Sequence, residues 1–343
     1  SWLAADLGVA TESDSKVEPK VAFGGSSGSN KRVYLVYGRY TSGGRRDIYF
    51  RRSLDGGASW QSPLRLNSQS NDSLFPRLAV DPGASADRVV ACWEEINTSG
   101  VIQPNVRCNI STDSGQSFSS DVRVNATAGN AILPEIAIDS SYVYVVWQQG
   151  AAITVARASL GSTPLSFNNE TTLSVQPGKE PQIAADGGGR VLVVWEDLRT
   201  PLSAIRASRS TNSGATWPAD GLRVDNDVVD GDSVDPVVAY RPGGRAFIAW
   251  ADTSRGAHDI YLNSSADGGG SWGAVAQRVS GGTAGAFTAS NPRLAVSPTG
   301  SRVYVVWEDL RNGTQRDIYF NQSLDDGVTW NIPDSRIDEA SPA

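Results

Sequence analysis

The chain repeats itself six times, and nothing else in it constrains the fold as strongly. "SLDGGASW" at 53–60 returns as "STDSGQSF" (111–118), "STNSGATW" (210–217), "SADGGGSW" (265–272) and "SLDDGVTW" (323–330), and a decayed copy, "SLGSTPLSF", ends at Phe167. The closing aromatics Trp60, Phe118, Phe167, Trp217, Trp272 and Trp330 stand 58, 49, 50, 55 and 58 residues apart. A period of that size belongs to propeller blades.

Each repeat carries the same further marks. A Pro with a short apolar run comes first ("EPKVAF", "FPRLAV", "LPEIAI", "EPQIAA", "DPVVAY", "NPRLAV"). A β-branched and aromatic run follows ("VYLVY", "VVACW", "VYVVW", "VLVVW", "AFIAW", "VYVVW"), of the kind buried on both faces of a sheet. A third segment such as "DIYF", the octapeptide and a short closing segment complete the unit. The Pro is expected to open the first strand, where its missing N–H matters least.

Four short antiparallel strands repeated six times, with Gly-rich turns, predict an all-β, six-bladed β-propeller. It is read as a single domain over 1–343, with blades near 17–70, 71–128, 129–176, 177–229, 230–285 and 286–343. Residues 1–16 form a candidate closing outer strand.

Within the octapeptide, the Asp carboxylate can accept backbone N–H bonds in a tight turn, Gly supplies positive φ, and the hydroxyl adds a further bond. A device that recurs in successive blades is a staple rather than a catalyst, because a propeller needs many staples and one site. The pattern S-x-D-x-G-x-[ST]-W resembles the Asp-box, or bacterial neuraminidase repeat, of sialidase-like propellers. The resemblance implies a structural role for Asp55, Asp113, Asn212, Asp267 and Asp325, in turns between third and fourth strands on the face away from the active site. In sialidases an Arg two residues before the first strand's Pro helps clamp the sugar carboxylate. Here those positions are Val17, Leu74, Ile132, Lys179, Val234 and Ser290, and no Tyr–Glu nucleophile pair can be picked out.

Charge and composition exclude other classes. A net charge of −7 offers no basic stripe for nucleic acid, and no apolar run approaches the roughly 18 residues of a membrane span. The absence of Met reads as a processed, exported chain, hence a secreted or cell-surface protein whose partner is a glycan or an extracellular protein. Two cysteines are too few for a disulfide scaffold or a zinc site. Aligning blades sets Cys92 and Cys108 against Val306 and Phe320 of the last one, cross-strand partners if that hairpin is symmetric. A disulfide is therefore expected, two buried thiols being the alternative.

The face opposite the octapeptides is the one to search. It carries "WEDLR" at 195–199 and 307–311 and "YGR" at 37–39. Asp197 with Arg199 and Asp309 with Arg311 read either as local charge pairs or as part of a polar ligand site with Arg39. Lys20, Arg77, Glu135, Gln182, Val237 and Arg293 follow the opening prolines and are expected near a channel mouth. Lys20, Arg39, Arg77, Arg199, Arg293 and Arg311 are thus ligand-binding candidates. Glu135, Glu180 and Asp235 are catalytic candidates, since a glycosidase needs two carboxyls about 5–9.5 Å apart. The acidic loop "DNDVVDGDSVD" offers Asp225, Asp227, Asp230 and Asp232 to a Ca²⁺ ion, hard oxygen donors without EF-hand spacing. Two functions remain open: a glycan- or protein-binding propeller, and an exo-acting glycoside hydrolase.

Overall fold

The computed structural model describes residues 15–25, 31–81, 86–97, 103–127, 130–174, 176–199, 201–226 and 231–338. Among these, the strands form six sheets of four strands. The first holds β1 (Lys16–Gly24), β2 (Arg32–Tyr40), β3 (Arg46–Ser53) and β4 (Leu64–Arg65); the second β5 (Asp72–Asp81), β6 (Arg88–Asn97), β7 (Gln103–Ser111) and β8 (Val122–Arg123). The third holds β9 (Ala131–Ile138), β10 (Tyr142–Gln149), β11 (Ala152–Ser159) and β12 (Phe167–Thr172). The fourth holds β13 (Gly178–Ala185), β14 (Val191–Asp197), β15 (Ala204–Ser210) and β16 (Leu222–Arg223). The fifth holds β17 (Ser233–Arg241), β18 (Arg245–Asp252), β19 (Asp259–Ser265) and β20 (Gln277–Arg278), and the sixth β21 (Ala289–Val296), β22 (Val303–Asp309), β23 (Asp317–Ser323) and β24 (Ser335–Arg336). Within each sheet the strands lie in chain order. The six-bladed propeller expected from the repeat is the fold observed. The candidate closing strand falls almost entirely outside the described residues.

The chain divides into two compact units, residues 1–136 with 158–167, and residues 137–157 with 168–343. In the first, Tyr34, Val36, Ile48 and Phe50 of sheet one bury against Val89, Ala91 and Trp93 of sheet two. In the second, Leu192, Val194 and Ile205 pack with Ile248 and Trp250. Every residue of β14 is buried, as a run apolar on both faces requires.

The prolines do not open their strands. Pro19, Pro76, Pro181, Pro236 and Pro292 sit inside β1, β5, β13, β17 and β21, each at a break in register with the second strand. A bulge removes the ladder hydrogen bond that Pro cannot make, so Pro is tolerated there as well as at a strand's start. The residue before each Pro is left-handed: Glu18 (φ 55°), Phe75 (50°), Leu133 (52°), Glu180 (51°), Asp235 (54°) and Asn291 (53°). Residues before Pro ordinarily avoid helical geometry for extended backbone, so a left-handed one in every sheet is a built feature.

The octapeptides close on themselves. Ser53 Oγ donates to Asp55 Oδ1 at 2.7 Å, Ser59 N donates to the same oxygen at 2.8 Å, and Gly57 N donates to Ser53 Oγ at 2.8 Å. Asp113, Asp267 and Asp325 repeat the pattern. At Asn212 the amide replaces the carboxylate by reversing one bond, Nδ2 donating to Thr216 Oγ1 at 2.8 Å. Cys92 and Cys108 are direct cross-strand partners and are joined as a disulfide.

Candidate functional site

The bulge and the second strand's polar end meet at one end of each sheet. In sheet four, Lys179 is the cross-strand partner of Glu196, while the octapeptide begins at Ser210, which pairs with Val191 at the other end of β14. The residue after the core Trp therefore faces the bulge. That residue is Glu94, Glu196 or Glu308 in sheets two, four and six, opposite Leu74, Lys179 and Ser290.

In the second unit these positions build a connected polar cluster. Lys179 Nζ lies 3.0 Å from Glu196 Oε1. Glu180 lies near enough to Asp235 for the Asp235 charge to act on its carboxyl. Asn291 N donates to Asp235 Oδ2 at 3.4 Å, and Asn291 Nδ2 donates to Glu308 Oε2 at 3.1 Å. Arg316 pairs with Glu308 and donates to Ser290 Oγ at 3.0 Å.

The electrostatics separate these carboxyls. Burial, then the neighbouring Asp235 charge, pushes Glu180 up from the ordinary carboxyl range. Glu196 is also raised by burial, against the pull of Lys179. Glu308, although burial opposes it, is held low by its hydrogen bonds from Arg316 and Asn291. A protonated carboxyl donates one hydrogen bond, and an ionised one only accepts. The cluster thus gathers carboxyls of different proton affinity, Glu180 and Glu196 raised and Glu308 lowered.

In the first unit, Phe75 N donates to Glu18 Oε2 at 2.7 Å and Leu133 N to Glu94 Oε2 at 3.1 Å. Arg77 Nε lies 2.7 Å from Glu135 Oε1, so two of the residues that follow the first-strand prolines form an ion pair.

The remaining sequence candidates are placed as follows. Arg199 donates to both oxygens of Asp197 (2.8 and 2.7 Å) and to Asp220 at 2.7 Å. Arg311 pairs with Asp309 and Asp334 and stacks 4.0 Å from the Tyr319 ring centroid. Arg39 lies over the Tyr49 ring at 5.0 Å, Lys20 is half-buried on β1, and Arg293 Nη1 donates to Pro292 O at 2.8 Å. Asp225 accepts from Arg223 Nε at 2.9 Å, and Asp232 from Ser203 N at 2.8 Å. Asp227 and Asp230 lie outside the described residues. Among the described residues, no group of three or more His, Cys, Asp or Glu is arranged to hold a metal.

Of the catalytic candidates the structure brings Glu180 and Asp235 together and leaves Glu135 with Arg77. Sequence reasoning missed Lys179, Glu196, Asn291 and Glu308. The signal was present in the period-two alternation: in "VVWED" the Trp side chain points into the core, so the next residue points the other way.

No protein-family profile and no curated protein matches the chain. Solved structures do share its fold. An ulvan lyase of polysaccharide lyase family PL25 superposes with a TM-score of 0.57 at 11% identity, covering 92% of this chain and 81% of that one. The GH93 α-L-arabinofuranosidase of Fusarium graminearum, in complex with arabinobiose, gives 0.55 at 15%, covering 85% and 88%. A Hadza microbial sialidase aligns at 16% identity with a TM-score of 0.49, over 85% of this chain and 63% of its own length.

Proposed function

We propose that this protein is a secreted or surface-located propeller that binds an uncharged, hydroxyl-rich glycan at the cluster of Glu180, Asp235, Asn291 and Glu308. The observation that carries this reading is Asn291, which links Asp235 and Glu308 by donating its backbone N–H to one and its side-chain amide to the other. The amide donor of Asn291 and the carboxyl oxygens beside it match sugar hydroxyls, each of which both donates and accepts.

Charge supports the choice of ligand. Two of the cations around the cluster are engaged, Lys179 with Glu196 and Arg316 with Glu308, and Arg293 acts on Glu308 as well. The carboxyls Glu180, Asp235, Glu196 and Glu308 outnumber the cations Lys179, Arg293 and Arg316, which speaks against an acidic sugar such as sialic acid. The carbohydrate-active enzymes that share the fold agree with a glycan ligand, although fold alone assigns no activity. The disulfide supports an oxidising compartment.

A second reading, an exo-acting glycoside hydrolase with Glu180 as general acid, is favoured by the raised proton affinity of that residue alone. Calorimetry against neutral oligosaccharides, arabinobiose included, and against sialyllactose tests both. Binding of a neutral sugar without turnover, lost in Asp235→Asn, is expected. Preference for sialyllactose would overturn the ligand class, and release of reducing sugar that vanishes in Glu180→Gln would establish the hydrolase.

A further inference from the structure

Sheets two and six place an arginine and a glutamate in the same relation at the bulge, and the pair is engaged in one sheet and open in the other. In sheet two Leu74 lies across from Glu94 and Arg77 from Cys92; in sheet six Ser290 lies across from Glu308 and Arg293 from Val306. The bulged residues between them stand outside the ladder, so each arginine is the diagonal neighbour of its glutamate on one face of the sheet. Long side chains reach one another across such a diagonal.

The carbonyl of the preceding proline sets both arginines in one posture. Arg77 Nη1 donates to Pro76 O at 3.1 Å, and Arg293 Nη1 to Pro292 O at 2.8 Å. In sheet two the remaining groups are satisfied by sheet three, because Arg77 Nε meets Glu135 Oε1 at 2.7 Å and buried Glu94 accepts the Leu133 N–H. Sheet six differs. Arg293 is exposed, and among the described residues it forms no ion pair and no hydrogen bond besides that to Pro292. Glu308 accepts from Asn291 and Arg316, both on Oε2, and no described residue donates to its Oε1.

We propose that Arg293 and Glu308 grip two neighbouring hydroxyls of one sugar residue, Arg293 donating from the posture in which Arg77 meets Glu135, and Glu308 accepting at Oε1. The inference rests on the glycan-binding reading and names the contacts that select the sugar. A guanidinium only donates and a carboxylate only accepts, whereas a hydroxyl does both, so the two groups together fix the order and spacing of the hydroxyl pair. An epimer that turns one hydroxyl away leaves a charged group without its partner, which a site built for polar contacts discriminates strongly.

The test is calorimetry on wild type, Arg293→Gln, Arg293→Lys and Glu308→Gln with a panel of neutral disaccharides, arabinobiose included, and with sialyllactose, alongside nitrogen-15 spectra of the arginine side chains. A neutral disaccharide should bind wild type and lose about tenfold or more in affinity in Arg293→Gln. The melting temperature should not change, since exposed Arg293 has no ion pair to lose. Arg293→Lys should fall between the two, because an ammonium lacks the planar fork that holds Pro292 O and a ligand oxygen at once. Glu308→Gln should weaken binding too, and the double variant should lose less than the product of the single fold-changes, as groups gripping one sugar residue do. The Arg293 side-chain N–H signals, assigned by their absence from Arg293→Gln, should shift when the sugar is added. Wild-type affinity in Arg293→Gln, or lost affinity with no shift of those signals, would overturn the grip and leave the glycan reading standing. Sialyllactose bound more tightly than every neutral sugar would overturn the hydroxyl grip and the neutral ligand together, whichever variant abolished it. No binding of any sugar by wild type would overturn the glycan reading and the grip with it.

Discussion

The backbone N–H of Phe75 donates to the carboxylate of Glu18 at 2.7 Å, and both residues are the left-handed residue before a proline. A bulge frees an N–H from the ladder, and a buried N–H left unpaired destabilises by about 1–3 kcal/mol. Glu94 serves Leu133 in the same way, and Asp235 serves Asn291. These carboxylates are therefore parts of the scaffold before they are parts of any site.

Glu18→Ala should accordingly lower unfolding stability by about 1–3 kcal/mol, and Glu18→Gln, which keeps an acceptor oxygen, by distinctly less. Urea denaturation of the two variants is the measurement, and equal losses would show that the acceptor is not what matters.

Gly115 and Gly44 share a φ of 76° but not their surroundings. A Cβ at Gly115 would stand 2.6 Å from the Phe50 ring, whereas one at Gly44 would meet nothing within 4 Å. Gly44→Ala should cost only the left-handed strain of about 1 kcal/mol, and Gly115→Ala about 1–3 kcal/mol more through displaced packing. Similar melting temperatures for the two variants would show that the Phe50 ring yields to the added methyl at no cost.

Acid should loosen the octapeptide turns. Hydrogen bonds from Ser53 and Ser59 hold Asp55 down at about 2, and those from Thr329 and Ser323 do the same for Asp325. A depressed folded value means that the stabilisation is complete above the ordinary carboxyl range near 3.8 and is lost as pH falls toward 2. Asn212 carries no such charge, so Asp55→Asn, copying it, should flatten the acid side of the stability profile. Thermal melts from pH 5 to 2 test this, and an unchanged acid slope would count against it.

The Cys92–Cys108 bridge spans 16 positions, and closing a loop of that size contributes about 3 kcal/mol in the chain-entropy account. The double variant Cys92→Ala with Cys108→Ala should lose about 2–4 kcal/mol. Thiol counting on the unfolded, unreduced wild type should find no free thiol, and finding two would refute the bridge.

The sequence alone determined the repeat, the strand number and the self-bonded octapeptide, and it set Cys92 opposite Cys108 while leaving a bridge and two buried thiols both open. All of these are local or periodic: a turn fixes its own hydrogen bonds, and alternation fixes which face a residue takes. The bulges were decided by tertiary structure. "EPQIAA" and "DPVVAY" show a proline and an acid but not the left-handed backbone before it, because that geometry is opposed by local preference and persists only where the surrounding sheets hold it. The approach of Glu180 to Asp235 likewise joins residues 55 positions apart in sequence, and the proton affinity of Glu180 comes from burial and from that neighbour. Neither can be read from a strand's own pattern, since both depend on how one sheet packs against the next.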